Sequence, residues 1–229
     1  MKLYFSPGAC SLSPHIALIE AGLPHTLELA STKTHQLKDG TDFYTINPMG
    51  YVPVLELDNG QRLREGPAIV QYIADQAPAS KLAPANGTFE RYQLQEWLAF
   101  IGTEVHKSFS PLFNPNMPDA AKDIARAQIT KRLTWIDTQL ASKDYLMGSQ
   151  FTVADPYLFA VCGWAPMVGV DISQLKALGK FLDRVAAPLL PKRLWLQKNN
   201  KPVAHTTVNL FHVKQVFYLA MIFKNELTN

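Results

Sequence analysis

Residues 47–72 read NPMGYVPVLELDNGQRLREGPAIVQY, and the fold turns on this stretch. It opens with a turn at Asn47-Pro48-Met49-Gly50 and reaches Val52-Pro53. Apolar and polar residues then alternate through Val54, Leu55, Glu56 and Leu57, and Asn59-Gly60 is the strongest short-range signal for a tight hairpin turn. The return strand is brief. Glu65-Gly66-Pro67 then launches a helix with Ile69, Val70 and Ile73 on its apolar side. Proline has no N–H, so Pro53 belongs at the entrance of a strand rather than inside the ladder. Val52, just before it, is held extended and has its own N–H and C=O to offer to a guest peptide, as in strand addition. Glu65 and Gly66 sit where helix N–H groups are unpaired and the dipole is positive, a place that suits a carboxylate. Backbone pairing beside a carboxylate site suits a small peptide ligand with charged ends.

Working outward, residues 2–5 form a short aromatic-rich strand in which Tyr4 and Phe5 read as core. A turn follows at Ser6-Pro7-Gly8-Ala9-Cys10-Ser11, and then a helix over 12–21 that buries Ile16, Ala17 and Ile19. Gly22 and Pro24 stop it. Residues 26–29 give a second strand and hence a β-α-β unit. Residues 31–46 are polar and less regular, and 78–87 (PASKLAPANG) have the look of a linker. The rest is helical up to residue 187. A helix over 89–109 carries a core stripe of Leu94, Leu98, Ile101, Val105 and Phe109, and Ala99, Gly102, Thr103 and His106 beside it predict a shallow groove ending at an imidazole. A second helix spans 119–140. Thr152 and Asp155 have capping-box spacing ahead of a nearly all-apolar helix over 156–164, the expected centre of the helical part. Pro156, at the fourth helical position, is not expected there.

With 229 residues, 47% apolar and 18% charged, the chain suits one large or two small soluble domains. Neither a secretory signal nor an apolar run of membrane-spanning length is visible, so no membrane partner is expected. The net charge of +3 is uneven. From Pro188 onward six Lys/Arg stand against one acidic residue, a net of +5, whereas the first 187 residues hold 16 against 18, a net of −2. The body therefore gives no case for nucleic acid. Cys10 and Cys162 are the only cysteines; they have no CxxC or metal spacing, and free thiols fit a cytoplasmic location.

Cys10 lies in the turn before the first helix, where helix N–H groups favour a thiolate. His106, with an ordinary pKa of about 6.5, suits a proton acceptor or a sulfur-orienting group. The Val-Pro-x-Leu strand, the hairpin, the Glu-Gly-x-Ala-Ile helix start and Glu104-Val105-His106-Lys107 resemble the glutathione S-transferases. The opening, Tyr4 to Ser11, is similar to their bacterial beta class, and the resemblance covers residues 1–187. It implies a thioredoxin-like α/β domain over 1–78, an all-helical domain over 88–187 forming the hydrophobic substrate side, and an atypical tail over 188–229. A cis bond at Val52-Pro53 is expected from the same context.

The resemblance implies a homodimer that conjugates the glutathione thiol to hydrophobic electrophiles and needs no metal. Cys10 and His106 would be catalytic, with Cys10 facing the glutathione sulfur and able to form a mixed disulfide, and with Ser11 bonded to the same sulfur. Val52 and Pro53 would present the backbone edge. Glu65 would accept the α-amino group, Gly66 N–H would take the γ-glutamyl carboxylate, and Thr103 and Lys107 would border the ligand. Two positions depart from the family. His35 stands where a lysine commonly reaches the glycine carboxylate, which predicts weaker or pH-dependent affinity. Ala99 replaces an asparagine, at a loss of about 1 kcal/mol for one hydrogen bond. Two other functions fit the same features: a monothiol glutathione-dependent thiol-disulfide reductase, and a non-catalytic carrier of hydrophobic ligands. After Ala187 the resemblance stops, and a change of reading frame accounts for the tail better than a membrane-surface helix, because its apolar residues fall nearly all round.

Overall fold

The computed structural model describes residues 1–187; the tail read above as a frame change lies outside the described residues. Four strands form one mixed sheet in the order β2-β1-β3-β4. β1 (Lys2–Phe5) runs parallel to β2 (Thr26–Leu29), with Leu3 opposite Leu27, and antiparallel to β3 (Val54–Glu56), with Leu3 opposite Leu55. β4 (Arg62–Arg64) closes the edge, with Leu63 opposite Leu55. The β3–β4 connection is wider than a two-residue hairpin. Leu57 C=O accepts from Gly60 N–H at 2.9 Å, Leu57 N–H donates to Gln61 C=O at 2.8 Å, and Gly60 takes φ +82°. Glycine is the residue that adopts that angle without cost.

Helices α1 (Leu12–Glu20) and α2 (Gly66–Gln76) cover one face of the sheet. Their buried Ile16, Leu18, Ile69 and Ile73 join one core with the helical region, where Leu94, Ile129, Leu158 and Phe181 are fully or nearly fully buried. A smaller cluster of Tyr4, Phe43, Ile46, Val52 and Val54 packs the other face. The two regions are also pinned by charge. Arg91, 3% exposed, makes two 2.8 Å bonds to the Asp75 carboxylate and one of 3.0 Å to Pro84 C=O. A buried guanidinium is tolerated because its fork is satisfied in this way.

The long helix expected over 89–109 is interrupted. α3 (Phe89–Phe100) passes into a π-helical turn (Ile101–His106) and then α4 (Lys107–Phe113). Two hydroxyls bond carbonyls four residues back, Thr103 to Ala99 at 3.0 Å and Ser108 to Glu104 at 2.7 Å, a habit that bends helices. Pro111 inside α4 removes a further backbone donor. The π turn shifts the α-helical register of the residues expected beside the core stripe. α5 spans Asp119–Leu140.

α6 (Ala154–Cys162) begins two residues before Pro156, which is therefore its third residue, inside the first turn. N–H groups there have no intrahelical acceptor, so the proline sacrifices nothing. The capping box is reshaped. Thr152 N–H and hydroxyl both donate to Asp155 Oδ2, at 2.7 and 3.2 Å, and Leu146 N–H donates to Oδ1 at 2.9 Å. α7 (Lys176–Ala186) completes the described fold.

Candidate active site

The quoted stretch delivers the geometry its residues predict. The Val52–Pro53 bond is cis, and Val52 precedes β3. Cys10, before the first turn of α1, donates its thiol hydrogen to Val52 C=O at 3.6 Å. Glu65 stands at the head of α2 with φ +65°, ψ +116°, and its C=O accepts from Ala68 and Ile69 N–H at 3.0 Å each. Its side chain is exposed and makes no cap of its own. A non-glycine residue at positive φ is strained by about 1–3 kcal/mol, and such strain clusters where a side chain is held for function. Gly66 opens the helix, so its N–H has no intrahelical acceptor.

His106 lies at the end of the π turn, with Nδ1 2.8 Å from the Tyr157 hydroxyl. Its ring also meets Trp164, centroids 5.0 Å apart, and the indole N–H of Trp164 donates to Gly8 C=O at 2.8 Å, across to the Cys10 turn. Trp164 packs edge-on to Phe109 and to the half-exposed Phe113, which makes an apolar wall beside the imidazole. Neither Tyr157 nor Trp164 stands out in the sequence. Both sit in the apolar run 156–164, where an aromatic reads as core, and only the polar atom each carries hints at a second use.

The electrostatics differ from those expected of a helix start. Burial pushes the Cys10 thiol up to about 11; the backbone N–H groups of Cys10 and Ser11 and the charge of Lys107 pull the other way and lose. At this part-buried sulfur desolvation outweighs the helix-start N–H groups and favours the thiol over the thiolate. His106 is likewise moved from its ordinary value. Burial first, and then Lys107, lower it to about 4.

A pH-dependence of stability follows. The unfolded imidazole gains a proton near pH 6.5 while the folded one stays neutral to about 4. The stabilisation is therefore complete above pH 6.5 and is lost as pH falls toward 4, by roughly 3 kcal/mol. Urea unfolding at pH 7.5 and 4.5 should show this loss in the natural chain and a smaller one in His106→Gln. Equal losses would refute the assignment.

The remaining predicted residues are placed as follows. Ser11 is fully buried, accepting from Ser6 N–H and donating to Ser6 C=O at 3.2 Å each, so its hydroxyl is spent on the turn that carries Cys10. His35, at φ +53°, stacks on Tyr44 with centroids 4.7 Å apart and bonds Gly50 C=O through Nδ1 at 3.2 Å. A Cβ on Gly50 would lie 2.9 Å from that Nδ1 and 2.7 Å from the Tyr44 ring, so the Val52 approach needs glycine there. Thr103 is exposed, with its hydroxyl committed to Ala99 C=O. Lys107 is exposed next to His106. Among the described residues no cluster of three or more His, Cys, Asp or Glu could hold a metal ion.

Comparison with known proteins settles the family. Residues 8–76 match the glutathione S-transferase N-terminal domain and 100–188 the C-terminal domain. The chain belongs to the glutathione S-transferase family. It is 42% identical over 186 residues to glutathione S-transferase GstA of Escherichia coli O157:H7, covering 81% of this chain and 92% of that one. Among solved structures, the ternary complex of BphK, a bacterial member, is similar at TM-score 0.79 and 51% identity, covering 84% and 100%. The bacterial beta class glutathione S-transferase of Sphingomonas chungbukensis is similar at TM-score 0.80 and 42% identity, covering 94% and 98%. This transferase thus has the two-part architecture, and the bacterial kinship, that its residues predict.

Proposed function

We propose that this transferase holds glutathione along the Val52 backbone and the head of α2, and adds its thiol to hydrophobic electrophiles beside Cys10 and His106. The observation that carries the reading is the strained Glu65 backbone at the start of α2, which fixes a carboxylate next to the open Gly66 N–H. In this reading Glu65 accepts the α-amino group and Gly66 N–H takes the neighbouring carboxylate. His35 and Lys107 border the glycine end, and Thr103 and Ser11 shape the surroundings rather than grip the sulfur. The electrophile rests on the wall of Trp164 and Phe113. Residues 1–78 form the glutathione-binding part and 88–187 the helical substrate side.

A homodimer is part of the proposal. Exposed Phe89, Tyr92 and Trp135 on α3 and α5 support a covered face. A cytoplasmic site of action agrees with two free cysteines, and no helix among the described residues is long and apolar enough to cross a membrane.

The upward shift of the Cys10 thiol by burial favours conjugation over the reductase reading, which needs a nucleophilic thiolate. Conjugation of a chlorodinitrobenzene and reduction of a glutathionylated disulfide, assayed side by side, are expected to show conjugation as the faster activity. Reduction without conjugation would overturn the proposal. Loss of both with hydrophobic ligand binding retained would make the protein a carrier.

A further inference from the structure

We infer that Tyr157 is a positioning residue: its hydroxyl donates to His106 Nδ1 and so locks the imidazole in the Nε2–H form, leaving His106 to give, and not take, a hydrogen bond at the glutathione sulfur. The second half of this inference rests on the glutathione reading above. The first half stands on geometry alone.

Tyr157 is 4% exposed, and its hydroxyl meets His106 Nδ1 at 2.8 Å. That is its one hydrogen bond among the described residues. A buried phenol spends its hydrogen on an acceptor. Were the imidazole hydrogen on Nδ1, that N–H would occupy the phenol oxygen and the phenol's own hydrogen would point at nothing. With the hydrogen on Nε2, Nδ1 is the acceptor and both groups are satisfied. The ring is flanked by two aromatic neighbours that favour this orientation of its nitrogens. It stands edge-on to Tyr157 at 81° and to Trp164 at 61°, and Trp164 is itself tied to Gly8. The phenol oxygen also lies against Gly102, where a Cβ would sit at an ordinary contact distance of 3.6 Å.

Charge agrees with this arrangement. Burial, followed by Cys10 and Glu65, pushes the Tyr157 hydroxyl up, so the phenol keeps its hydrogen, and the imidazole stays neutral over the whole working range. A glutathione thiol that ionises here passes its proton to solvent. The sulfur anion left behind takes the Nε2–H hydrogen bond.

Tyr157→Phe in the full chain removes one hydroxyl and keeps the ring. Long-range proton–nitrogen NMR of the natural chain, with the His106 signals assigned by their loss in His106→Asn, should show the Nε2–H form alone. In Tyr157→Phe a mixture of the two forms is expected. The kcat for chlorodinitrobenzene conjugation should fall about tenfold while KM for glutathione stays within about twofold. An Nδ1–H form in the natural chain overturns the inference whatever the variant does. So does an unchanged form and an unchanged kcat in Tyr157→Phe. A change of form in a protein to which calorimetry shows no glutathione binding upholds the lock and refutes the glutathione reading instead.

Discussion

Asp155→Ala is expected to lower stability by roughly 3–5 kcal/mol. The carboxylate is fully buried and receives three hydrogen bonds, from Leu146 N–H, Thr152 N–H and the Thr152 hydroxyl. Alanine leaves all three donors buried without an acceptor, at about 1–3 kcal/mol each, less than additively because the cavity admits some relaxation. For a chain of this size the loss lowers Tm by about 10–15 °C. Thr152→Val removes a single hydroxyl donor from the same cluster and should cost about 1 kcal/mol. Activity follows stability here, because α6 starts at this cap, carries Tyr157 and leads directly into Trp164. Denaturant titration checks both variants. A loss under 1 kcal/mol for Asp155→Ala would mean that the cap does not hold α6.

Cys10→Ala is expected to abolish the covalent glutathione adduct while leaving non-covalent affinity within a factor of a few. Binding rests on backbone groups of Val52 and the head of α2, which the substitution leaves in place; Cys10 meets that edge only through its thiol, 3.6 Å from Val52 C=O. The adduct forms when the Cys10 thiolate attacks glutathione disulfide, making one mixed disulfide and releasing one glutathione thiolate. Because burial holds the thiol up to about 11, that reaction is slow at neutral pH, and its rate should climb about tenfold per pH unit below that value. Intact mass after incubation with glutathione disulfide at several pH values measures the adduct, and calorimetry the affinity. Cys162 is fully buried and its thiol is pushed up by that burial. An adduct that persists on Cys162 in the variant, or a rate already level at pH 7, would contradict the assignment.

The helix bounds at 119–140, the β-α-β opening and the strand entrance at Pro53 were legible because each rests on local chemistry: periodicity, a glycine stop, a missing N–H. The π turn was not. It coincides with hydroxyl-to-carbonyl bonds at Thr103 and Ser108, which a pattern of apolar residues does not register. Titration states were illegible for the same kind of reason. A helix start favours a thiolate and a surface histidine titrates near 6.5, but burial reverses both at Cys10 and His106, and burial is a property of the packed whole. Tyr157 and Trp164 were hidden by their own apolar neighbours. Glu65, by contrast, was visible as a helix-start acid, although the positive φ that holds it in place has no signature beyond the glycine beside it.

The claim at the centre of this account is that glutathione is gripped by the head of α2. Titration calorimetry of glutathione into the natural chain and into Glu65→Gln tests it directly. A charge-assisted bond contributes about 1.5–3 kcal/mol, so the variant should bind roughly 10- to 100-fold more weakly while its Tm is unchanged. Equal affinity in the two proteins would place glutathione elsewhere and contradict the account.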